Sequence, residues 1–309
     1  MTLDYHIPFL NALDFAWSRR YSRACGERNM KHFKIDQHEN VQVWTMSNPP
    51  MNYMTGPMTQ ELTELIGRVE DDTNTRAIIL TGGIDGKFIT HYSVDELAAM
   101  AADPAECARL FPTLSVGFHR MLDRIMLMPK AVIAAINGDC MGGGYELALA
   151  CDFRLAADGP YQIGLPESVL GILPGGGGTQ RLPRLIGRSK ALEVMLFGNV
   201  YAPREAEKMG MVNRVLAPES LMPFAMEWAQ TLAKRPPRSI AAIKKAVHLG
   251  SDRDLDSGLY VERMEMTQVM CSEDARTMMN AYNKEVARDP MTARTEFLKG
   301  VNVPPSKGR

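Results

Sequence analysis

The chain lacks the cysteine pattern of a secreted scaffold. Its five cysteines, Cys25, Cys107, Cys140, Cys151 and Cys271, are widely spaced, odd in number and form no CxxC pair. That excludes a disulfide framework or a zinc knuckle as the expectation and points to a reducing, cytoplasmic setting. The chain also lacks an excess of either charge: 35 Lys and Arg stand against 36 Asp and Glu, for a formal net charge of -1. Such a balance gives no electrostatic basis for an obligate nucleic-acid partner. No apolar run approaches the roughly 18 to 20 residues of a membrane span, so no membrane partner is expected. The first thirty residues have no long apolar stretch of the signal-peptide kind, and Asp4, Asp14 and Glu27 speak against a transit peptide, although the arginines leave that address open. Internal repeats and low-complexity tracts are absent. What remains is 309 residues, 45% hydrophobic and 23% charged, a composition able to bury one large core or two modest ones.

Short β-branched runs alternate with helical periods. The stretches 40–46 (NVQVWTM), 76–83 (RAIILTGG), 131–138 (AVIAAING) and 152–157 (DFRLAA) read as buried strands. Between the first two, Leu62, Leu65, Ile66 and Val69 mark one face of a helix that starts near Pro57. Between the second and third, residues 106–129 have a helical period with an expected interruption at Pro112 and a stop at Pro129. This alternation is that of an α/β protein with largely parallel connections. Past about residue 200 the chain reads as helical almost throughout. The methionines Met264, Met266, Met270, Met278 and Met279 suit a soft packing surface, in the core or between subunits.

Two glycine clusters stand out, Gly142 to Gly144 and Gly175 to Gly178. Neither belongs to a GxxxxGK[ST] phosphate loop or a GxGxxG dinucleotide fingerprint. The first lies between a strand and a run with helical spacing, so it forms the strand-to-helix turn. Such a turn exposes the unpaired N–H groups of the helix's first turn, and without side chains a substrate oxygen can approach the peptide itself. It is an oxyanion site in outline. Glu146 follows within reach of the same cavity, but an acid in a first helical turn also complements the helix dipole, and this window leaves both readings open.

The text 131–157 (AVIAAINGDCMGGGYELALACDFRLAA), then LPESVLGILPGGGGTQRLPRLIGRSKALEVMLFG and EAEKMGMVNRV, closely resembles the enoyl-CoA hydratase/isomerase (crotonase) superfamily, with looser likeness from about Lys31 to Glu285. The resemblance implies an α/β, crotonase-like spiral of ββα units followed by a C-terminal helical region that joins subunits into a homo-oligomer, a trimer or a hexamer. It implies an acyl-CoA thioester substrate, no metal and no separate cofactor, coenzyme A entering with the substrate. It assigns the backbone N–H groups of Gly143 and Tyr92 to the thioester oxygen, and it matches Glu146 and Glu167 to the two catalytic carboxylates of the hydratases. The implied activity is syn addition of water to a 2-enoyl-CoA; the alternatives are double-bond isomerisation, if only Glu167 works, or another crotonase-type acyl-CoA reaction that uses the same oxyanion hole. The chain departs from the family text at Thr90, His91, Tyr92 and Ser93, where Ala-Gly-Ala-Asp is common, which makes the mouth of the pocket bulkier.

The remaining candidates carry plainer readings beside the functional one. His91 can touch substrate or simply pack in its loop. Gly142 and Gly175 line the two glycine turns as substrate contacts. Lys244, with Lys245 and Lys87, can meet CoA phosphates or serve as a solvated face. The expected organisation is an N-terminal extension over 1–30 that packs through Phe9, Leu13 and Trp17, a spiral core with the site over 31–200, a helical region over 201–290, and a loose tail over 291–309.

Overall fold

The computed structural model of the chain describes residues 30–300 and 303–306; the contacts expected of Phe9, Leu13 and Trp17 lie outside the described residues. Ten strands and twelve α-helices are present among them. Strand β1 (Phe33–His38) pairs antiparallel with β2 (Val41–Met46), and β2 then runs parallel to β3 (Ala77–Gly82). Strands β5 (Ala131–Ile136), β7 (Phe153–Ala157) and β10 (Arg214–Leu216) continue the parallel sheet, in the order β1-β2-β3-β5-β7-β10.

A smaller sheet is built from the second strand of each repeat: β4 (Gly86–Ile89), β6 (Gly138–Met141) and β8 (Ile163–Gly164) in parallel, closed by the antiparallel β9 (Val200–Tyr201). Each of the central turns of the chain therefore reads strand of the large sheet, strand of the small sheet, helix. This is the ββα repeat of the expected α/β spiral. Its second strand is the part that sequence patterning misses, because a strand such as β6 is only four residues long and too short to show a period.

Side-chain alternation places two cores on the two faces of the large sheet. On β3, Ala77 and Ile79 face one way with Val41, Val43, Ile133 and Leu155, and they are covered by helix α8 (Pro218–Ala233). That helix offers Leu221, Ala225, Ala229 and Ala233 at every fourth position, a stripe of mostly small residues that lets it lie close to the strands. Ile78 and Leu80 face the other way, with Trp44, Met46 and Val132, into the larger core. There they meet α1 (Gly56–Glu70) and α3 (Pro104–Leu127) through Leu62, Leu65 and Ile66 and through Met121, Leu122 and Ile125.

Pro112 does not interrupt α3. The helix starts earlier, capped by the Asp103 side chain on the N–H groups of Ala105 and Glu106, and runs through the proline to Leu127. A separate short helix, α2 (Val94–Ala101), precedes it. After residue 200, α7 (Pro203–Met209) and β10 come before α8, so the region past 200 contributes a strand to the large sheet as well as helices. Helices α9 (Pro237–Gly250), α10 (Leu255–Met270) and α11 (Glu273–Arg288) follow. No residue of α10 is buried, and Leu255, Leu259, Tyr260, Met264, Met266 and Met270 are exposed. Within the 291–309 segment, Ala293–Leu298 forms a further helix, and Ser306 donates to Asp274 while its carbonyl accepts from Arg76.

Candidate active site

The first glycine cluster sits between β6 and helix α4 (Gly143–Ala150), not directly after the long strand 131–136. Gly142 has φ +51° and ψ -129°, a backbone state that glycine enters without the steric cost of a Cβ. Its own N–H is spent on Gly164 O at 3.0 Å, and a Cβ added to it would stand 3.2 Å from Glu167 Oε1 and 3.6 Å from His91 Cβ. Gly144 is fixed by a close approach: an added Cβ would overlap the Ile89 carbonyl oxygen and lie 2.9 Å from the carbonyl carbon. Because that neighbour is backbone, it cannot rotate aside. Gly144→Ala should lower stability by about 1–3 kcal/mol, read as a drop in thermal midpoint; an unchanged midpoint would show that β4 and α4 part without cost.

Gly143 begins α4, so its N–H has no partner within the helix. Opposite it stands Tyr92. The loop after β4 bridges to Met54: Met54 N–H donates to His91 O at 2.9 Å, and Ser93 N–H donates to Met54 O at 2.8 Å. In a parallel bridge of this kind the central residue's own N–H points away from the partner strand. The Tyr92 N–H accordingly faces the glycine turn, with Tyr92 N 3.5 Å from where a Gly143 Cβ would be. Neither amide donates to a protein acceptor among the described residues. The bulky Tyr92 side chain is turned off this axis: Glu96, which accepts from Gly56 N–H at 2.9 Å, acts on its hydroxyl, and its ring meets Phe118 edge-on at 6.1 Å. Burial and Glu96 together push the phenol pKa well up.

Two carboxyls border the same turn. Glu146, on the first turns of α4, is 3% exposed, and its Oε1 accepts from Gly176 N–H and Gly178 N–H, both at 2.7 Å. Gly178 opens helix α5 (Gly178–Ile186), so the second glycine cluster delivers helix-start amides to the carboxylate. Burial pushes the Glu146 pKa up, while those amides, Arg181 and His119 pull it back. Glu167 opens the 3-10 turn Glu167–Leu170. Its carboxyl is buried, Oε2 has no hydrogen-bond partner among the described residues, and burial followed by repulsion from Glu146 pushes its pKa up to about 7. The pair thus has one member bonded to fixed amides and one held poised between charged and neutral forms.

The structure brings Glu146, Glu167, Gly142, Gly143, His91 and Tyr92 together. The His91 ring stacks on Tyr53 with centroids 4.4 Å apart, and its Nδ1–H donates to Tyr92 O at 2.7 Å. Gly175, expected as a substrate contact, has its carbonyl taken by His119 Nε2 at 2.6 Å. Lys244 is placed outside the constellation. Only 7% exposed, its ammonium donates to Lys130 O at 2.8 Å and pairs with Asp152 Oδ2 at 2.9 Å, a buried clamp between α9 and the end of α3. An ammonium with these partners is committed to the fold, because a buried Asp152 left alone would be strongly unfavourable. Lys87 pairs with Asp139 at 2.5 Å and Lys245 with Glu265 at 3.7 Å.

Sequence reasoning missed the groups that hold Glu146: Gly176, Gly178 and the residues behind them. Arg181 donates to Gly176 O at 2.9 Å and pairs with Asp123 at 2.7 Å. The signal was available, since PGGGGTQRL reads as a helix start whose amides need an acceptor. Among the described residues no cluster of three or more His, Cys, Asp or Glu is arranged to hold a metal ion, and no helix is long and apolar enough to cross a membrane.

Comparison with known proteins places these features in context. A family model described as enoyl-CoA hydratase/isomerase matches residues 36–289. A short-chain-enoyl-CoA hydratase of Clostridium acetobutylicum is 32% identical over 249 residues, covering 80% of this chain and 93% of the relative. A crotonyl-CoA hydratase of Syntrophomonas wolfei is 33% identical over the same length, with 80% and 93% coverage. Among solved structures, an enoyl-CoA hydratase from Bacillus anthracis superposes with a TM-score of 0.77 at 30% identity, covering 90% of this chain and 100% of that one.

Proposed function

The chain belongs to the enoyl-CoA hydratase/isomerase family, and from that premise we propose that it adds water across the C2=C3 bond of a 2-enoyl-CoA thioester, giving a 3-hydroxyacyl-CoA. The observation that carries this reading is the pairing of two buried carboxyls in unlike settings with two unspent amides at the same turn.

The thioester oxygen sits between the N–H groups of Gly143 and Tyr92. Attack of water on C3 pushes negative charge onto that oxygen as an enolate, and each preorganised donor lowers the barrier by about 2.7–4 kcal/mol. The positive end of α4 acts in the same direction. Glu146, held by the amides of Gly176 and Gly178, accepts a hydrogen bond from the water and takes its proton as the C3–O bond forms. Glu167, protonated below about pH 7, gives its proton to C2. One water is consumed, and the proton gained by Glu146 replaces the one lost from Glu167 before the next turnover. His91 and Gly142 border the acyl group beside Glu167.

A second reading has its own support. The bonds from Gly176 and Gly178 to Glu146 also suit a carboxylate that only fastens the glycine loop. Glu167 alone would then move a proton from C2 to C4, which is isomerisation of a 3-enoyl-CoA. Mixing the purified protein separately with 2-enoyl-CoA and 3-enoyl-CoA, and following conjugated-thioester absorbance, separates the two. Loss of absorbance with the first substrate is expected. Gain with the second supports isomerisation, and no change with either across several acyl lengths overturns both.

Self-association belongs to the same reading. The apolar side chains exposed along α10 are left wet by a single copy. A trimer or hexamer would cover them, and light scattering of the purified protein should report a multiple of the single-chain mass.

A further inference from the structure

Helix α3 brings one more side chain to the Glu146 assembly. His119 stands 56 positions before the glycine loop in sequence, yet its Nε2 lies 2.6 Å from Gly175 O. A carbonyl only accepts, so Nε2 carries the proton of this bond whether the ring is neutral or charged. The Gly175 carbonyl and the Gly176 N–H are the two ends of one planar peptide group. That N–H donates to Glu146 Oε1 at 2.7 Å. Imidazole, peptide and carboxylate therefore form a continuous chain of two hydrogen bonds, each polarising the next.

The rest of α3 supports the same loop. Asp123, one helical turn beyond His119, pairs with Arg181 at 2.7 Å, and Arg181 donates to Gly176 O at 2.9 Å. The Phe118 ring packs against the Gly176 α-carbon, 2.5 Å from where a Cβ would be. Four consecutive glycines have wide conformational freedom of their own, and these side chains restrict it. The titratable groups that bear on Glu146 are Arg181, His119 and Glu167.

We propose that His119 is a positioning residue for the step that Glu146 performs: by fixing the Gly175–Gly176 peptide it sets the direction in which the Glu146 carboxylate meets the attacking water. The inference rests on the reading of Glu146 as the base. His119→Leu removes the donor and keeps most of the volume, while His119→Gln keeps an amide donor able to reach the same carbonyl. With 2-butenoyl-CoA as the probe, His119→Leu should lower kcat about tenfold and leave KM within about twofold. His119→Gln should recover most of the loss. Since His119 is only half-buried, the thermal midpoint of both variants should stay close to that of the parent.

The Glu146→Gln background separates this idea from the one beneath it. If His119 acts through Glu146, adding His119→Leu to Glu146→Gln should cost little more, because residues in one chain of interactions are not additive. An unchanged kcat in His119→Leu, or a full and independent loss in the double variant, overturns the role of His119 alone. Full hydration by Glu146→Gln overturns the reading of Glu146 and this inference with it.

Discussion

Glu167→Gln is expected to lower kcat for hydration by about 10²–10⁴-fold and, at the same time, to make the protein more resistant to alkaline conditions. The amide cannot deliver a proton to C2, so activity falls whichever direction the reaction is run. The stability effect follows from the carboxyl's pKa, pushed from 4.5 to about 7 by burial and by Glu146. Between those two values the folded protein binds more protons than the unfolded chain. Stability is therefore fully retained below about 4.5 and is lost as pH rises through about 7, by up to about 3 kcal/mol. Glutamine has nothing to ionise. The stability difference between variant and parent, from denaturant midpoints, should shift in the variant's favour by that amount between pH 4.5 and 8, whatever its absolute value. A pH-independent difference would show that the Glu167 carboxyl is not raised. In the parent, the same titration should make the hydration rate fall as pH rises past about 7.

Glu146→Gln should be equally damaging to hydration, about 10²–10⁴-fold in kcat, but for a local reason with little structural disturbance. The glutamine oxygen can still accept from Gly176 and Gly178, which now stand 2.7 Å from Glu146 Oε1, so the loop keeps its anchor and only the basicity is removed. Isomerisation of a 3-enoyl-CoA, which needs Glu167 alone, should largely survive. Hydration that persists in this variant would assign Glu146 to holding the loop and hand the chemistry to the one-base reading.

How much of this was legible in the sequence depended on the distance between the parts. The turn at Gly142 to Gly144 could be read directly, because a strand, a glycine cluster and a helical period lie within one short window, although that window left Glu146 open between a site carboxylate and a helix-start acid. Glu167 is 21 positions further on, and nothing in periodicity ties it to Glu146; the likeness to a family supplied that link. The amides of Gly176 and Gly178 and the imidazole of His119 reach Glu146 only through the packing of α3 and α5 against α4, which residue patterns do not encode. Lys244 shows the opposite failure. A lysine on a helix reads as a solvated charge, and only the fold places it over Asp152 and the Lys130 carbonyl. Pro112 likewise reads as a helix breaker, yet α3 continues through it because its later turns, with Met121, Leu122 and Ile125, are anchored in the core.

The Met54 bridge that aims the Tyr92 amide leaves that residue's side chain out of the arrangement of donors. Both amides at the turn are main-chain groups, so ordinary codon changes at position 92 leave the donor in place, proline being the exception, whereas Gly143 has only 3.1 Å between its missing Cβ and the Tyr92 Cβ. Position 92 can consequently change its side chain and keep its amide, whereas a Cβ added at position 143 requires the Tyr92 side chain to give way by a few tenths of an ångström.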